Sequence, residues 1–463
     1  MAAGQKKYLT HEVIPSASRL SGTMRDVGYD FRTAVADLVD NSIAAGARKV
    51  AITMSFEGKD SWIRVADDGT GMDADALTEA MRYGSRRSYE EDELGKFGIG
   101  LKSASTSQCR RLTVASRTSE AQRRIYVRRW DLDEIQKTDQ WYVEELEAAD
   151  CGPELTEPLE RHPGCVVLWQ KLDRILDYRF PDGESARKGF FLRAEELEKH
   201  LGMVFHRFLA GEARKFRRPL KITVNDEPVE AWDPFARSEK HTEALRAGEY
   251  DIDSADGSGT VRVAGYVLPS KDRFSSVQAF ERLSGPEKWN KQQGLYIYRN
   301  DRMIQSGGWS WMRTSDEHTK LARVSIDFGS RLDSAFKVNM AKERVTLPGD
   351  FRDELKSYLD VLIRRAQNAY RKDEPVASSS STLSDASPVG TPSKGYEPVA
   401  SSHSSGASPS REGARHFAPA PGPGQIRKAL EKAARETRSL GELRKLVAEV
   451  RRASPEVAHA LGY

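Results

Sequence analysis

Residues 34–50 read AVADLVDNSIAAGARKV, an apolar helical pattern interrupted by Asp37, Asp40 and Asn41. Asp37 and Asn41 are four apart, so on a helix they stack on one face, with Asp40 one step round. A carboxylate and an amide stacked this way can hold a water and a Mg2+ ion side by side. The amide oxygen is a hard neutral ligand, and the carboxylate can accept a proton from the water. The same spacing also describes a polar stripe facing solvent on an amphipathic helix. The stretch therefore poses two readings that its neighbours must separate.

The next stretch, VADDGTGMD at residues 65–73, ends a strand in Asp67 and enters a turn with Gly69 and Gly71. A carboxylate at a strand end can accept a hydrogen bond from an exocyclic amine, and the glycines let backbone approach a flat ring. Asp-Asp-Gly is also an ordinary tight-turn signal. Further on, residues 83–105 read YGSRRSYEEDELGKFGIGLKSAS, a polar loop that ends in Gly95, Gly98 and Gly100 and runs into a helix near Leu101. Backbone N–H groups at a helix N-terminus cradle anions, and Lys102 adds a point charge suited to phosphate. The loop lacks the GK[ST] of a P-loop, which argues against a Walker-type site.

Asn41, Asp67 and Gly98 follow one another at intervals of 26 and 31 residues. In that order the three elements resemble the N, G1 and G2 boxes of the gyrase B, histidine kinase, MutL (GHKL) ATPase superfamily, over roughly residues 20–180. The resemblance implies a Bergerat-type ATP-binding sandwich with ATP and Mg2+ as its cofactors. Asn41 would be the magnesium ligand and Asp67 the residue that reads adenine, with Gly69, Gly71 and Met72 in the turn beside it. Gly84, Ser85, Gly95, Lys96, Phe97, Gly98, Ile99, Gly100 and Lys102 would form the phosphate lid. Asp37 stands where most members carry the glutamate that polarises water. Its side chain is one methylene shorter, about 1.5 Å, and in-line attack is sensitive to displacements of about 1 Å, so hydrolysis is expected to be slow. Ala44 and Cys165 also depart from the pattern, which commonly has Asp and Thr there, and Cys165 would lie beside the adenine.

Outside these boxes, KVAITMSF, WIRVADD, RLTVASR and RIYVRRW read as strands, giving a mixed α/β domain assigned to residues 21–200. A second α/β block, residues 201–371, contains PLKITVND, VRVAGYVL, GLYIYRNDRMI and RVSIDFG as strands and closes with the helical pattern FRDELKSYLDVLIRRAQNAY. GLYIYRNDRMI resembles the transducer strand of MutL and MORC proteins, and KVNMAKERVTLP resembles the loop that brings a lysine to the terminal phosphate. That likeness implies an S5-like transducer domain with Lys342 as the lysine, the alternative being an ordinary surface lysine next to Glu343 and Arg344. Residues 1–20 form a short arm. Residues 372–425 are rich in Ser, Pro, Gly and Ala and read as a disordered linker, and residues 426–463 read as two short amphipathic helices.

Lys and Arg total 72 against 69 Asp and Glu, and the excess falls in the last segment, so residues 1–371 are close to neutral. A global field for nucleic acid is therefore not expected of the folded body. Cys109, Cys151 and Cys165 form no CxxC pair, which points away from disulfides and zinc. The sequence lacks a stretch suited to a membrane span or a signal peptide, so a cytoplasmic protein without membrane partners is expected. The wider second block looks most like prokaryotic MORC-like proteins tied to restriction and anti-phage defence. That likeness implies an ATP-dependent homodimeric clamp, with DNA and a nuclease or methylase as partners. The alternative is a non-hydrolysing ATP-sensing scaffold that recruits effectors.

Overall fold

In the computed structural model the described residues are 11, 13–26, 29–84, 100–119, 121, 123–214, 216, 218–339, 342, 344–371, 447–448 and 451–452. The chain opens with helix α1 (Ala17–Arg25) and helix α2 (Phe31–Ala44), followed by strands β1 (Lys49–Ser55) and β2 (Trp62–Asp67). Helices α3 (Ala74–Ala80) and α4 (Gly100–Thr106) come next, then β3 (Arg111–Arg117), β4 (Tyr126–Asp131), α5 (Leu132–Thr138) and β5 (Glu144–Leu146). Helix α6 (Pro153–Arg161), β6 (Gly164–Gln170), α7 (Glu184–Val204), α8 (His206–Leu209), β7 (Lys221–Val224) and β8 (Glu227–Pro228) complete the first layer system.

These strands form one eight-stranded sheet in the order β5-β4-β3-β6-β2-β1-β7-β8. Period-two alternation sorts its faces. Val65, Leu112, Val114, Val167 and Trp169 point into the core shared with α2 and α7, while Ala66, Ala115, Val166 and Leu168 pack under Leu155 and Leu159 of α6. Fully burying each of the larger side chains is worth roughly 1.5–3 kcal/mol, so both faces hold the sheet rigid beneath α2.

PLKITVND, read from sequence as part of the second block, instead supplies β7, which pairs in parallel with β1 from Lys49↔Lys221 to Ile52↔Val224. The first sheet thus runs on past residue 200 to Pro228. A strand pattern announces a strand but not its partner, and α7 and α8 carry the chain back to the β1 edge before β7 begins.

The second sheet comprises β9 (Glu243–Ala244), β10 (Gly248–Ser254), β11 (Gly257–Val267), β12 (Gly294–Arg299), β13 (Arg302–Ser306) and β14 (Ala322–Phe328). Helices α9 (Val277–Leu283) and α10 (Lys288–Gln292) lie between β11 and β12, and α11 (Gly349–Arg371) follows the sheet. Its order is β10-β11-β14-β12-β13, with β9 on β11 and a parallel β12–β14 pair. Leu295, Ile297, Val324 and Ile326 pack on Leu355, Leu359 and Leu362 of α11. The opposite face carries Tyr296 and Tyr298, which pack with Phe235, Met303, Met203 and Trp232. Arg207 of α8 crosses to this face, donating to Asp301 at 3.1 Å and Ser325 at 3.0 Å and pairing with Asp327. Among the described residues no helix is long and apolar enough to cross a membrane.

Candidate functional site

Helix α2 starts at Asp30, whose Oδ1 accepts the Thr33 N–H at 2.8 Å and caps the first turn. It is buried on nearly every side, which excludes the solvent-facing stripe. Asp37 is 3% exposed and Asp40 1%, whereas Asn41 is exposed. Charged groups at that depth persist only when paired, and both carboxylates are. Asp37 Oδ2 accepts the Tyr29 hydroxyl at 2.8 Å, and its Oδ1 accepts the Lys342 ammonium at 2.8 Å. Asp40 Oδ2 accepts the same ammonium at 2.7 Å and lies 3.2 Å from Arg302 Nε. Burial, and after it the Asp37 charge, pushes the Tyr29 phenol well above its ordinary range, so it stays a donor.

Asp67 ends β2 in the middle of the sheet. Its Oδ2 accepts the Ser42 hydroxyl and its Oδ1 the Gly69 N–H, both at 2.9 Å. Only partly exposed, it is nevertheless raised above the ordinary carboxylate range, because enclosure outweighs these bonds and the one from the Cys165 backbone. Its neighbour Asp68 does the turn's work instead: Oδ1 accepts the Arg48 and Lys49 N–H groups at 2.6 and 2.8 Å. Cys165 faces Asp67 across the β2–β6 register, and burial pushes its thiol well up. Met72 N–H donates to Ser116 Oγ at 2.7 Å, and that hydroxyl donates to the Gly164 carbonyl at 2.9 Å. Gly71, at φ +66°, lies so close to β3 that a Cβ there would stand 2.1 Å from the Arg117 carbonyl. A Cβ on Gly69 would stand 2.9 Å from Ala45.

Gly100 begins α4 directly against α2: a Cβ on it would lie 3.3 Å from Asp37 Oδ2. Lys102, one turn away from open surface, is buried and donates to the Ala80 carbonyl at 2.9 Å. Desolvation lowers its ammonium to about 8. Ala80 is the last residue of α3, so this bond ties α4 to α3. Gly84 is exposed at φ +68°. Ser85, Gly95, Lys96, Phe97, Gly98 and Ile99 lie outside the described residues.

Four separate stretches thus converge. Gly100 touches Asp37, Ser42 touches Asp67, and Lys342 arrives on Asp37 from 305 residues away. Lys342 is buried and its backbone is left-handed at φ +50°, so the surface-lysine reading does not hold. Tyr29, Ser42, Ser116 and Arg302 went unread in the sequence, and Asp40 was placed one step round from the Asp37–Asn41 face without a role. Asp40 and Ser42 flank Asn41 and were legible by adjacency, whereas Arg302 carried no local signal.

The residues present fit a magnesium nucleotide. A buried acceptor at a strand end, glycines at which a Cβ would strike backbone, and an exposed amide one turn from a buried carboxylate form the donor and acceptor set that a purine and a hard cation require. The amide of Asn41 makes no hydrogen bond among the described residues.

Residues 29–162 match the family described as histidine kinase-, DNA gyrase B-, and HSP90-like ATPase. A DNA mismatch repair protein MutL of Pseudomonas putida (strain W619) is 30% identical over 177 residues, which is 37% of this chain and 24% of that protein. A second MutL, from Azorhizobium caulinodans, is 33% identical over 99 residues, 20% of this chain and 16% of that protein. The chain spans a quarter or less of the length of these relatives.

Proposed function

We propose that this chain, which belongs through residues 29–162 to the gyrase B, histidine kinase, MutL superfamily of ATPases, binds Mg-ATP beside α2 and hydrolyses it slowly to gate a dimeric clamp. The observation that carries this reading is the arrival of Lys342, from the second sheet's side, on Asp37 of the nucleotide domain. Asn41 would hold the magnesium ion, Asp67 would receive the adenine amine, and Gly100 with the preceding lid would face the phosphates. The bound ion would supply charge neutralisation on phosphate oxygens.

The chain's own residues supply the rest. Asp37 accepts the proton of the attacking water, and the Tyr29 hydroxyl fixes its orientation. Lys342 brings positive charge to a terminal phosphate, so the second domain gains contact energy with ATP that ADP does not offer. Turnover is then set by opening and closing. The residues before α1 exchange between two protomers paired through their first domains, with the domains divided as read from the sequence save that α1, from Ala17 on, and β7 and β8 join the first. DNA and a nuclease or methylase of a cytoplasmic defence system are the partners this reading names.

Replacing Asn41 by Ala should abolish magnesium-dependent binding of a fluorescent ATP analogue; an unchanged affinity refutes the site assignment. Light scattering with a non-hydrolysable analogue should show a dimer. DNA binding measured against salt, with and without nucleotide, tests the nucleic-acid partner. A second reading, a non-hydrolysing ATP-sensing scaffold, is favoured by the short side chain of Asp37 and its engagement with Lys342. Phosphate release by the wild type and by Asp37→Asn separates the two, since a scaffold shows no difference.

A further inference from the structure

The four charges under α2 are arranged unequally. Lys342 is shared between Asp37 and Asp40, at 2.8 and 2.7 Å, while Arg302 serves Asp40 alone, at 3.2 Å. Arg302 also donates through Nη1 to the Lys342 carbonyl at 2.8 Å. It therefore holds the backbone of the lysine loop and the carboxylate that receives the lysine at once. The loop needs holding, because Lys342 sits at φ +50°, a conformation that costs a non-glycine residue energy unless its surroundings impose it. Asp40 lies one helical step off the Asp37–Asn41 face and is the more deeply buried carboxylate, at 1% exposure.

From this asymmetry we infer that Asp40 and Arg302 are positioning residues that seat Lys342 on the nucleotide domain and set the nucleotide concentration at which it leaves that seat. The inference rests on the ATP-binding reading above. If Lys342 moves to a terminal phosphate, Asp40 keeps Arg302 and remains paired. Asp37 keeps only the Tyr29 hydroxyl and becomes an ionised base with no cation on it. One movement of one ammonium thus reports the phosphate and frees the base. Asp40 competes with the phosphate for Lys342, and Arg302 keeps the loop within reach of either.

The test is compaction of the full chain, followed by small-angle scattering during titration with a non-hydrolysable ATP analogue, with ADP affinity measured alongside. Asp40→Asn removes one charge-assisted bond to Lys342 and should lower the half-maximal analogue concentration by about tenfold or more. ADP affinity should stay within a factor of about two, the order of context-dependent scatter in single contacts. Arg302→Gln should abolish compaction and spare ADP binding. Because a lone buried charge can unfold the chain, the double variant Asp40→Leu/Arg302→Met removes the pair together; it should fold, bind ADP and, without the Arg302 hold on the loop, fail to compact as Arg302→Gln does. A folded Asp40→Asn or double variant with an unmoved threshold overturns the inference. Wild type that binds neither ADP nor analogue overturns the ATP reading and this inference with it. Wild type that binds both, with variants that do not differ, overturns the inference alone.

Discussion

A Cβ on Gly164 would stand 1.9 Å from the carbonyl oxygen of Asp67, so β6 begins in space that only a glycine leaves open. Gly164 sits at φ +147°, outside the range that side-chain-bearing residues adopt readily. The obstacle is backbone and cannot swing aside. Gly164→Ala should therefore separate the ends of β2 and β6 and displace Asp67. We expect a loss of about 2–4 kcal/mol in denaturant unfolding, combining backbone strain with the steric shift, and a clear loss of nucleotide affinity. Gly46 is the control: its φ is +72°, but a Cβ there meets nothing within 4 Å. Gly46→Ala should cost only about 1–2 kcal/mol, the left-handed penalty alone, and leave nucleotide binding intact.

Asp67 itself should show function held at the expense of stability. Its carboxyl is raised above the ordinary value of 3.8, chiefly by burial. An acid whose folded pKa lies above its unfolded one favours folding most when protonated, below 3.8, and that contribution is lost as pH rises through the folded pKa. Once ionised, the group is thus a burden on the free protein. Asp67→Asn keeps one acceptor oxygen for the donors Ser42, Gly69 and the Cys165 backbone, and Ser42 Oγ has the Leu38 carbonyl as a second partner at 3.2 Å. The variant should unfold at equal or higher denaturant concentration, by up to about 1 kcal/mol, yet fail to bind adenine nucleotide. For the wild type, nucleotide affinity should weaken as pH falls toward the raised carboxyl. A variant clearly less stable than wild type at pH 7 would show that the carboxylate is structural.

Local patterns carried most of this far. Val50, Ile52 and Met54 alternate as a half-buried strand should, and Asp30 caps the helix on which Asp37 and Asn41 were read. The acid at the end of β2 was legible because glycines follow it. What escaped depends on non-local pairing. β7 could not be given to the first sheet, since only its register with β1 shows where it belongs. Arg302 and Asp40, 262 residues apart, have no spacing that sequence periodicity can register. Lys102 shows a partner the sequence did not announce: a lysine after a glycine-rich loop suggests phosphate, and its ammonium donates to the carbonyl at the end of α3.

If Asp37 is the base, its carboxylate and the Tyr29 hydroxyl that orients it should affect catalysis and not binding. Asp37→Asn removes the proton acceptor and should lower phosphate release at least about 100-fold, in the range of general-base contributions, with nucleotide affinity nearly unchanged. Tyr29→Phe removes only the orienting hydroxyl, at 2.8 Å. It should lower kcat about tenfold, in keeping with one charge-assisted hydrogen bond, and leave KM alone. Equal effects on kcat and KM would place Tyr29 in nucleotide binding.

Arg207 joins the two sheets from the far side of the interface and tests whether they move as one body. Its guanidinium lies 3.6 Å from the Tyr298 ring centre and is ringed by Asp327, Asp301 and Ser325. Desolvation works against the cation, but the facing Asp327 carboxylate and the groups around it outweigh that cost and hold the guanidinium above its ordinary range, so it is charged at every working pH. Asp301 and Asp327 side chains are 9% and 13% exposed, too little for water to replace the cation. Arg207→Ala strands Asp327, leaves Asp301 with Arg214 alone, whose Nε lies 3.4 Å away, and should cost about 3–5 kcal/mol, seen as a lower denaturant midpoint. Adding Asp327→Asn should recover part of that loss, because one stranded charge disappears. Asp301 keeps the Arg214 backbone N–H at 2.9 Å in either background. If the double variant is as unstable as the single one, the arginine acts through stacking on Tyr298 and not through its carboxylates. The two mechanisms separate further with Arg207→Lys, which preserves charge but not the planar fork: recovery there means the carboxylates dominate, and no recovery means the ring does.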